Sequence, residues 1–250
     1  MTLDGGDYCE HVVPFALAFA EQDGVPVLIH RTDWNRLDVS DPATGRLLTE
    51  RKSPRPRKRG EVAGDETAHY LDYFHGALYL SPGGTKIYDD GWVWQALGVP
   101  TVWSLSAWLQ ENVRESEGPS LVDYPVLDEW DHGVVWITPN RIAVQDVGDP
   151  EEPACIRILD PTESGPSRHT TSMVIKTVTT LSGPGGRYFT DGTLLLISGE
   201  ADLEAWDIEL GCKMFAVPGF KPFRQHPHSL ELVEISDRTI RRWSPKQPAP

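Results

Sequence analysis

The chain has 250 residues, 39% of them hydrophobic, with 37 acidic against 23 basic side chains and a formal net charge of -14. That length suits two ordinary domains or one large all-β or α/β domain, and the acidic balance disfavours general nucleic-acid binding, which needs clustered Lys and Arg. No run approaches the roughly 20 apolar residues of a membrane span, and three scattered cysteines, Cys9, Cys155 and Cys212, argue against both a disulfide framework and a cysteine-built zinc site.

The start, Met1 to Asp7, is acidic where a secretory signal carries positive charge and an apolar segment, so the expected location is the cytoplasm. Nine Trp, 22 Gly and 21 Pro punctuate short apolar runs, and long amphipathic helical patterns are almost absent. Such a pattern predicts an all-β chain, either a sandwich, a barrel or a propeller.

In chain order, the first block predicts strands over 15–19, 25–30, 36–39 and 46–49, the last two joined by a turn at Asp41-Pro42-Ala43-Thr44-Gly45. Trp34, between Asp33 and Asn35, falls at a hairpin tip and is expected to be exposed. Residues 51–59 then hold six basic side chains in nine positions, and 51–68 reads as an exposed basic and acidic connection, with Pro54 and Pro56 opposing regular pairing. The arm 51–59 is the single hint of a nucleic-acid or acidic-partner contact.

The second block covers 76–80, 86–88 and 101–105, with a tryptophan-bearing insertion from Gly91 to Pro100. Ser106 to Asn112 reads as one or two helical turns capped by Ser106, or as a fourth strand, and 111–132 as a long surface loop. The third block covers 133–137, 141–145 and 154–160. The fourth runs from Met173 to Val178 and on through 187–190, 193–198, 203–208 and 213–217. The fifth is short, 229–235 and 239–243, and 244–250 reads as a flexible tail. Tyr8 to Pro14 is available to complete the fifth block, closing the structure with strands from both termini and removing exposed sheet edges.

Superposing the blocks aligns the ends of their third strands at Asp41, Ser104, Asp160, Asp207 and Ser244, separated by 63, 56, 47 and 37 residues. Five units of about 50 residues fall within the four to eight blades of a propeller. The expected fold is therefore one β-propeller domain over 1–250 with five blades, four blades or a β-sandwich being the alternatives.

Ala205-Trp206-Asp207-Ile208 followed by Gly211-Cys212-Lys213 resembles the strand, Trp-Asp, turn-Gly-Lys phrase of WD40-like and YVTN-like β-propellers, and Asp41 to Arg46 and Ile158 to Pro161 are looser copies. Asp72-Tyr73-Phe74-His75-Gly76, with Asp89-Asp90-Gly91-Trp92-Val93-Trp94 and Val102-Trp103-Ser104-Leu105, resembles a group of uncharacterised bacterial propeller-like proteins. The resemblance spans most of 15–243. One unit alone has Trp-Asp at its aligned strand end, and the Gly-His dipeptide of WD40 repeats is missing.

No GxSxG, phosphate-cradling glycine loop, HExxH or EF-hand loop is present, and Ser182 to Gly186 joins two strand-like runs as an ordinary loop. No residue is assigned to catalysis, a cofactor or a metal. The expected activity is a non-catalytic interaction module binding a protein partner through loops on one face, with Trp34, Trp92, Trp94, Trp130, Asp131 and His132 as contact residues. Trp92 and Trp94 share one face of a strand, where they either anchor a partner or pack between sheets. The alternative is a metal-dependent or small-ligand propeller enzyme whose central mouth brings Asp89-Asp90 to Asp131-His132 as acid, base or hard-cation ligands. As a bland counterpart, the same aspartates are turn residues bonding backbone amides. His226-Pro227-His228 aims two imidazoles one way if extended, as a metal pair requires.

Overall fold

The structure is a computed structural model and describes residues 3, 14–53, 55–62, 64, 67, 70, 72–93, 97–117, 121–122, 126–127, 132–146, 155–166 and 173–245. The fold class is all-β with few helical turns; among the described residues the strands pair into sheets of three, ten, four and three, and they are arranged as a five-bladed β-propeller. The four-blade count and the β-sandwich are thereby set aside. The chain divides into two compact units, Met1–Asp131 with Pro161–Lys176, and His132–Asp160 with Thr177–Pro250.

In the first unit, β1 (Leu17–Gln22), β2 (Val25–Asp33) and β3 (Arg36–Ser40) form an antiparallel meander. Asp23 and Gly24 both take positive φ, 53° and 77°, which gives the two-residue hairpin whose twist matches the strands it joins. Val27, Ile29, Leu37 and Val39 share a core with Ile87, Trp103, Leu105 and Trp108. The expected fourth strand at 46–49 is reduced to a single bridge, Ser40 to Leu47. Beyond it the Thr49 hydroxyl accepts the Val39 N–H at 2.9 Å, and the chain turns inward with Arg51 instead of continuing the ladder.

The second blade contains β4 (Tyr73–Leu80), β5 (Lys86–Val93), β6 (Leu97–Gly98), β7 (Thr101–Ser104), a short helix α1 (Leu105–Gln110), β8 (Leu121–Val122) and β9 (Val126–Leu127). β5 pairs with β4 on one side and β7 on the other, and β8 pairs with β7. The Gly91 to Pro100 insertion folds β6 back onto the end of β5, pairing Trp92 with Gly98 and Val93 with Leu97.

α1 is capped by Ser104 rather than Ser106. Ser104 has the extended cap conformation, and its hydroxyl accepts the Ala107 N–H at 3.2 Å. Residues 111–132, expected as a surface loop, include a 3-10 turn at Glu115–Glu117 and the strands β8 and β9. Arg114, Ser116 and Glu117 are buried there, because Arg51 and Arg114 bind the Glu117 carboxylate.

In the second unit, β10 (Val134–Thr138), β11 (Arg141–Asp146) and the start of β12 (Cys155–Pro166) form a meander. β12 ends in the first unit, where β13 (Met173–Leu181) begins and Val174 pairs in parallel with Val122 of β8. A separate four-stranded blade follows, β14 (Arg187–Thr190), β15 (Leu194–Ser198), β16 (Leu203–Asp207) and β17 (Cys212–Val217). Residues 173–178, grouped with this block from sequence, pair elsewhere. At the Trp206-Asp207 phrase, the Asp207 carboxylate accepts the N–H groups of Glu209 and Leu210 at 2.9 and 2.8 Å, and Gly211 takes φ 66°. The aspartate therefore serves the turn.

The last blade has three strands, β18 (Arg224–Gln225), β19 (Leu232–Ser236) and β20 (Thr239–Trp243). Trp243 and Leu232 pack with Phe189, Leu196 and Phe220 in one core. Of the segment proposed to complete this blade, residues 8–13 lie outside the described residues, and Pro14 precedes β1 outside any strand. No helix among the described residues is long and apolar enough to cross a membrane.

Candidate functional site

Strand β4 organises the candidate site. A strand sends successive side chains to opposite faces, and β4 opens with Tyr73, Phe74 and His75. Its register against β5 shifts between Phe74 and Ala77, so Phe74 faces Trp92 and Ala77 faces Asp90. Gly76 is required in this bulge, since a Cβ there would lie 1.9 Å from the Asp90 carbonyl oxygen.

On one face, His75 Nδ1 lies 2.6 Å from Asp89 Oδ2, and the Gly76 N–H donates to Asp89 Oδ1 at 2.9 Å. Both side chains are sealed, at 1% and 0% exposure. Burial raises the Asp89 carboxyl above its ordinary value, against the pull of His75, the Gly76 amide and Arg31. The Tyr73 hydroxyl donates to the Val99 carbonyl at 3.1 Å, and burial together with the Asp89 charge holds it well above the usual phenol range. Tyr73 and Trp103 stand edge-on to the imidazole at 5.2 and 6.4 Å.

These contacts correct the turn and open-mouth readings of Asp89 and Asp90, although Asp89 does bond a backbone amide, that of Gly76. Neither is a turn residue or a group presented at an open mouth; both lie within β5 and are buried. The dyad pins the β4 bulge to β5. Its sequence signal was Phe74-His75-Gly76 followed fourteen residues after His75 by Asp89.

The opposite face of β4 runs toward solvent. Phe74 stacks on Trp92 at 4.2 Å and 20°, and also meets Trp34 at 4.9 Å and 41°. Trp34, at the β2–β3 turn, in turn meets Tyr70 at 6.4 Å and 72°. Phe74 and Trp92 are buried, whereas Trp34 and Tyr70 are half-buried, and Asp33 and Asp72 beside them are exposed. The Trp34 N–H donates to Asp33 Oδ1 at 2.7 Å, and burial, then the Asp72 charge, raises the Tyr70 hydroxyl.

Of the predicted contact residues, the structure thus brings Trp34 and Trp92 together through Phe74, with Trp92 packed inward. His132 is buried just before β10 in the second unit. Trp94, Trp130 and Asp131 lie outside the described residues. Tyr70 and Phe74 were not singled out from sequence, since nothing local marks residues on separate segments as ring neighbours.

His226 and His228 sit in a turn rather than an extended run. The His226 Nδ1 accepts the N–H groups of Ser229 and His228 at 3.1 and 3.3 Å, so that ring caps the turn. Among the described residues no group of three or more His, Cys, Asp or Glu is placed to hold a metal ion.

The basic segment is also partly internal. The Arg51 side chain is 3% exposed and bridges Asp38 and Glu117 at 2.5 Å each. Burial alone would raise the Asp38 carboxyl, but hydrogen bonds from Arg36 and Thr32 and the charges of Arg51 and Arg36 hold it below its ordinary value. Arg55 forks onto Glu61, whose carboxyl is drawn down to about 2 by Arg55 and the Lys58 amide. Lys52, Arg57, Lys58 and Arg59 are exposed.

No family model and no curated protein matches the chain. Among solved structures, it is similar to a chain in the crystal structure of the mitotic checkpoint complex, at 12% identity and a TM-score of 0.53, over 98% of this chain and 66% of that one. The Cps50 (Swd1) beta-propeller domain of Myceliophteria thermophila aligns at 15% identity and a TM-score of 0.45, over 90% of this chain and 65% of that one. The chain spans just under two thirds of each of these chains. The first likeness is one of fold alone, and the blades make that fold a five-bladed β-propeller.

Proposed function

We propose that the chain is a non-catalytic β-propeller interaction module that binds a protein partner through loops on one face, with Trp34 as its contact residue. Propellers host binders and enzymes alike, so the fold does not carry this reading. What carries it is one observation: a half-exposed tryptophan at a hairpin tip, held from behind by Phe74, itself stacked on Trp92. A large ring fixed in this way presents apolar area at low entropic cost, as contact hot spots do.

The test uses the full chain immobilised at graded density, with bound proteins quantified from a lysate. A saturable partner is expected, and Trp34→Ala is expected to weaken it roughly thirtyfold, the scale of a 2 kcal/mol hot spot. Leu210→Ala, on the exposed β16–β17 turn, is the control and retains binding. Equal retention by the Trp34→Ala chain, or no saturable partner at all, refutes the proposal.

A further inference from the structure

Resting on that reading, we infer that the Trp34–Tyr70 site takes a cationic side chain, Lys or Arg, from an extended basic segment of the partner. Two half-exposed rings at 72° to one another supply π-faces, the surface that attracts an ammonium or guanidinium group. The carboxylates beside this pair add a charge that an apolar group does not use and a cation does. Asp33 and Asp72 are exposed immediately beside the rings, and Asp33 is tied to the Trp34 backbone at 2.7 Å.

Three features favour binding of a cation there. The carboxylates add Coulomb attraction at the rim, strongest at low ionic strength. Phe74, itself stacked on Trp92, backs the Trp34 ring, so the cation meets a preformed surface. The net charge of -14 steers basic segments toward the chain and repels acidic ones.

The experiment is an array of random ten-residue peptides with a central Lys or Arg, and the same array with norleucine or citrulline at that position, probed with the full chain. The inference expects retained peptides to require Lys or Arg, with about tenfold weaker binding for the neutral counterparts. Asp33→Asn and Asp72→Asn, each leaving the fold intact by thermal melt, are expected to weaken the Lys and Arg peptides several-fold and to flatten the salt dependence. Trp34→Phe retains part of the binding and Trp34→Ala loses it. If peptides depend on Trp34 but tolerate norleucine and citrulline equally, the cation inference fails while the interaction reading stands. If no retained peptide depends on Trp34, both fail.

Discussion

Arg51 separates a solvated basic loop from a buried structural linkage, and Arg51→Met tests which description is right. The guanidinium donates to Asp38 and twice to Glu117, and also to the carbonyls of Thr49 and Leu37 at 3.0 Å each. Methionine keeps much of the stem but removes all of these bonds. Deleting one partner of a buried ion pair costs roughly 3–5 kcal/mol, since the remaining charge stays desolvated. Here both carboxylates keep another arginine, Arg36 on Asp38 and Arg114 on Glu117, so a loss of about 3 kcal/mol at the low end is expected. For a chain of this length that lowers the melting temperature by roughly 6–12 °C.

The assay is thermal unfolding followed by circular dichroism at pH 7 and across an acid series. Asp38's folded value lies below its unfolded one, so its contribution is fully present above the unfolded carboxyl value of about 3.9 and is lost as pH falls through the folded value. The gap between wild type and Arg51→Met should therefore narrow on acidification below about pH 4. A loss under about 1 kcal/mol, the range of an exposed pair, would refute the burial argument and return 51–59 to an ordinary surface loop.

Gly76→Ala is expected to destabilise the chain by at least about 1–3 kcal/mol, because the new Cβ meets backbone at 1.9 Å; Gly165→Ala, with nothing within 4 Å, should melt like wild type. Asp89 has the opposite linkage sign to Asp38. Its folded value is raised, so its effect is to make wild-type stability fall as pH rises from about 3.9 toward that raised value. Asp89→Asn should remove that part of the profile, and an unchanged slope in urea unfolding across this range would count against the buried dyad.

Local chemistry was readable from the sequence; partners distant in the chain were not. The Asp207 to Gly211 turn follows from residue types four positions apart, and the structure builds it with the expected carboxylate and glycine. The division into five blocks rested on strand and turn signals of the same short range. Asp89-Asp90-Gly91 carries turn composition, and the burial of Asp89 is made tolerable by His75 and the Gly76 amide, delivered by the neighbouring strand, together with the charge of Arg31. Arg51 shows the same effect over a longer span, its partner Glu117 lying 66 residues away. A pair of aspartates or a run of arginines looks like surface until the opposing charge is found.

The division of the chain bears on how it can be made and cut. Pro161–Lys176 belongs to the first unit, but His132–Asp160 is synthesised before it. A ribosome must therefore deliver part of the second unit before Val122 can meet Val174. No single cleavage separates the two units intact, and a fragment ending at Asp131 lacks a strand that its own sheet pairs with. Expression of either half should follow the discontinuous boundary, with 161–176 spliced to the first unit by a short linker.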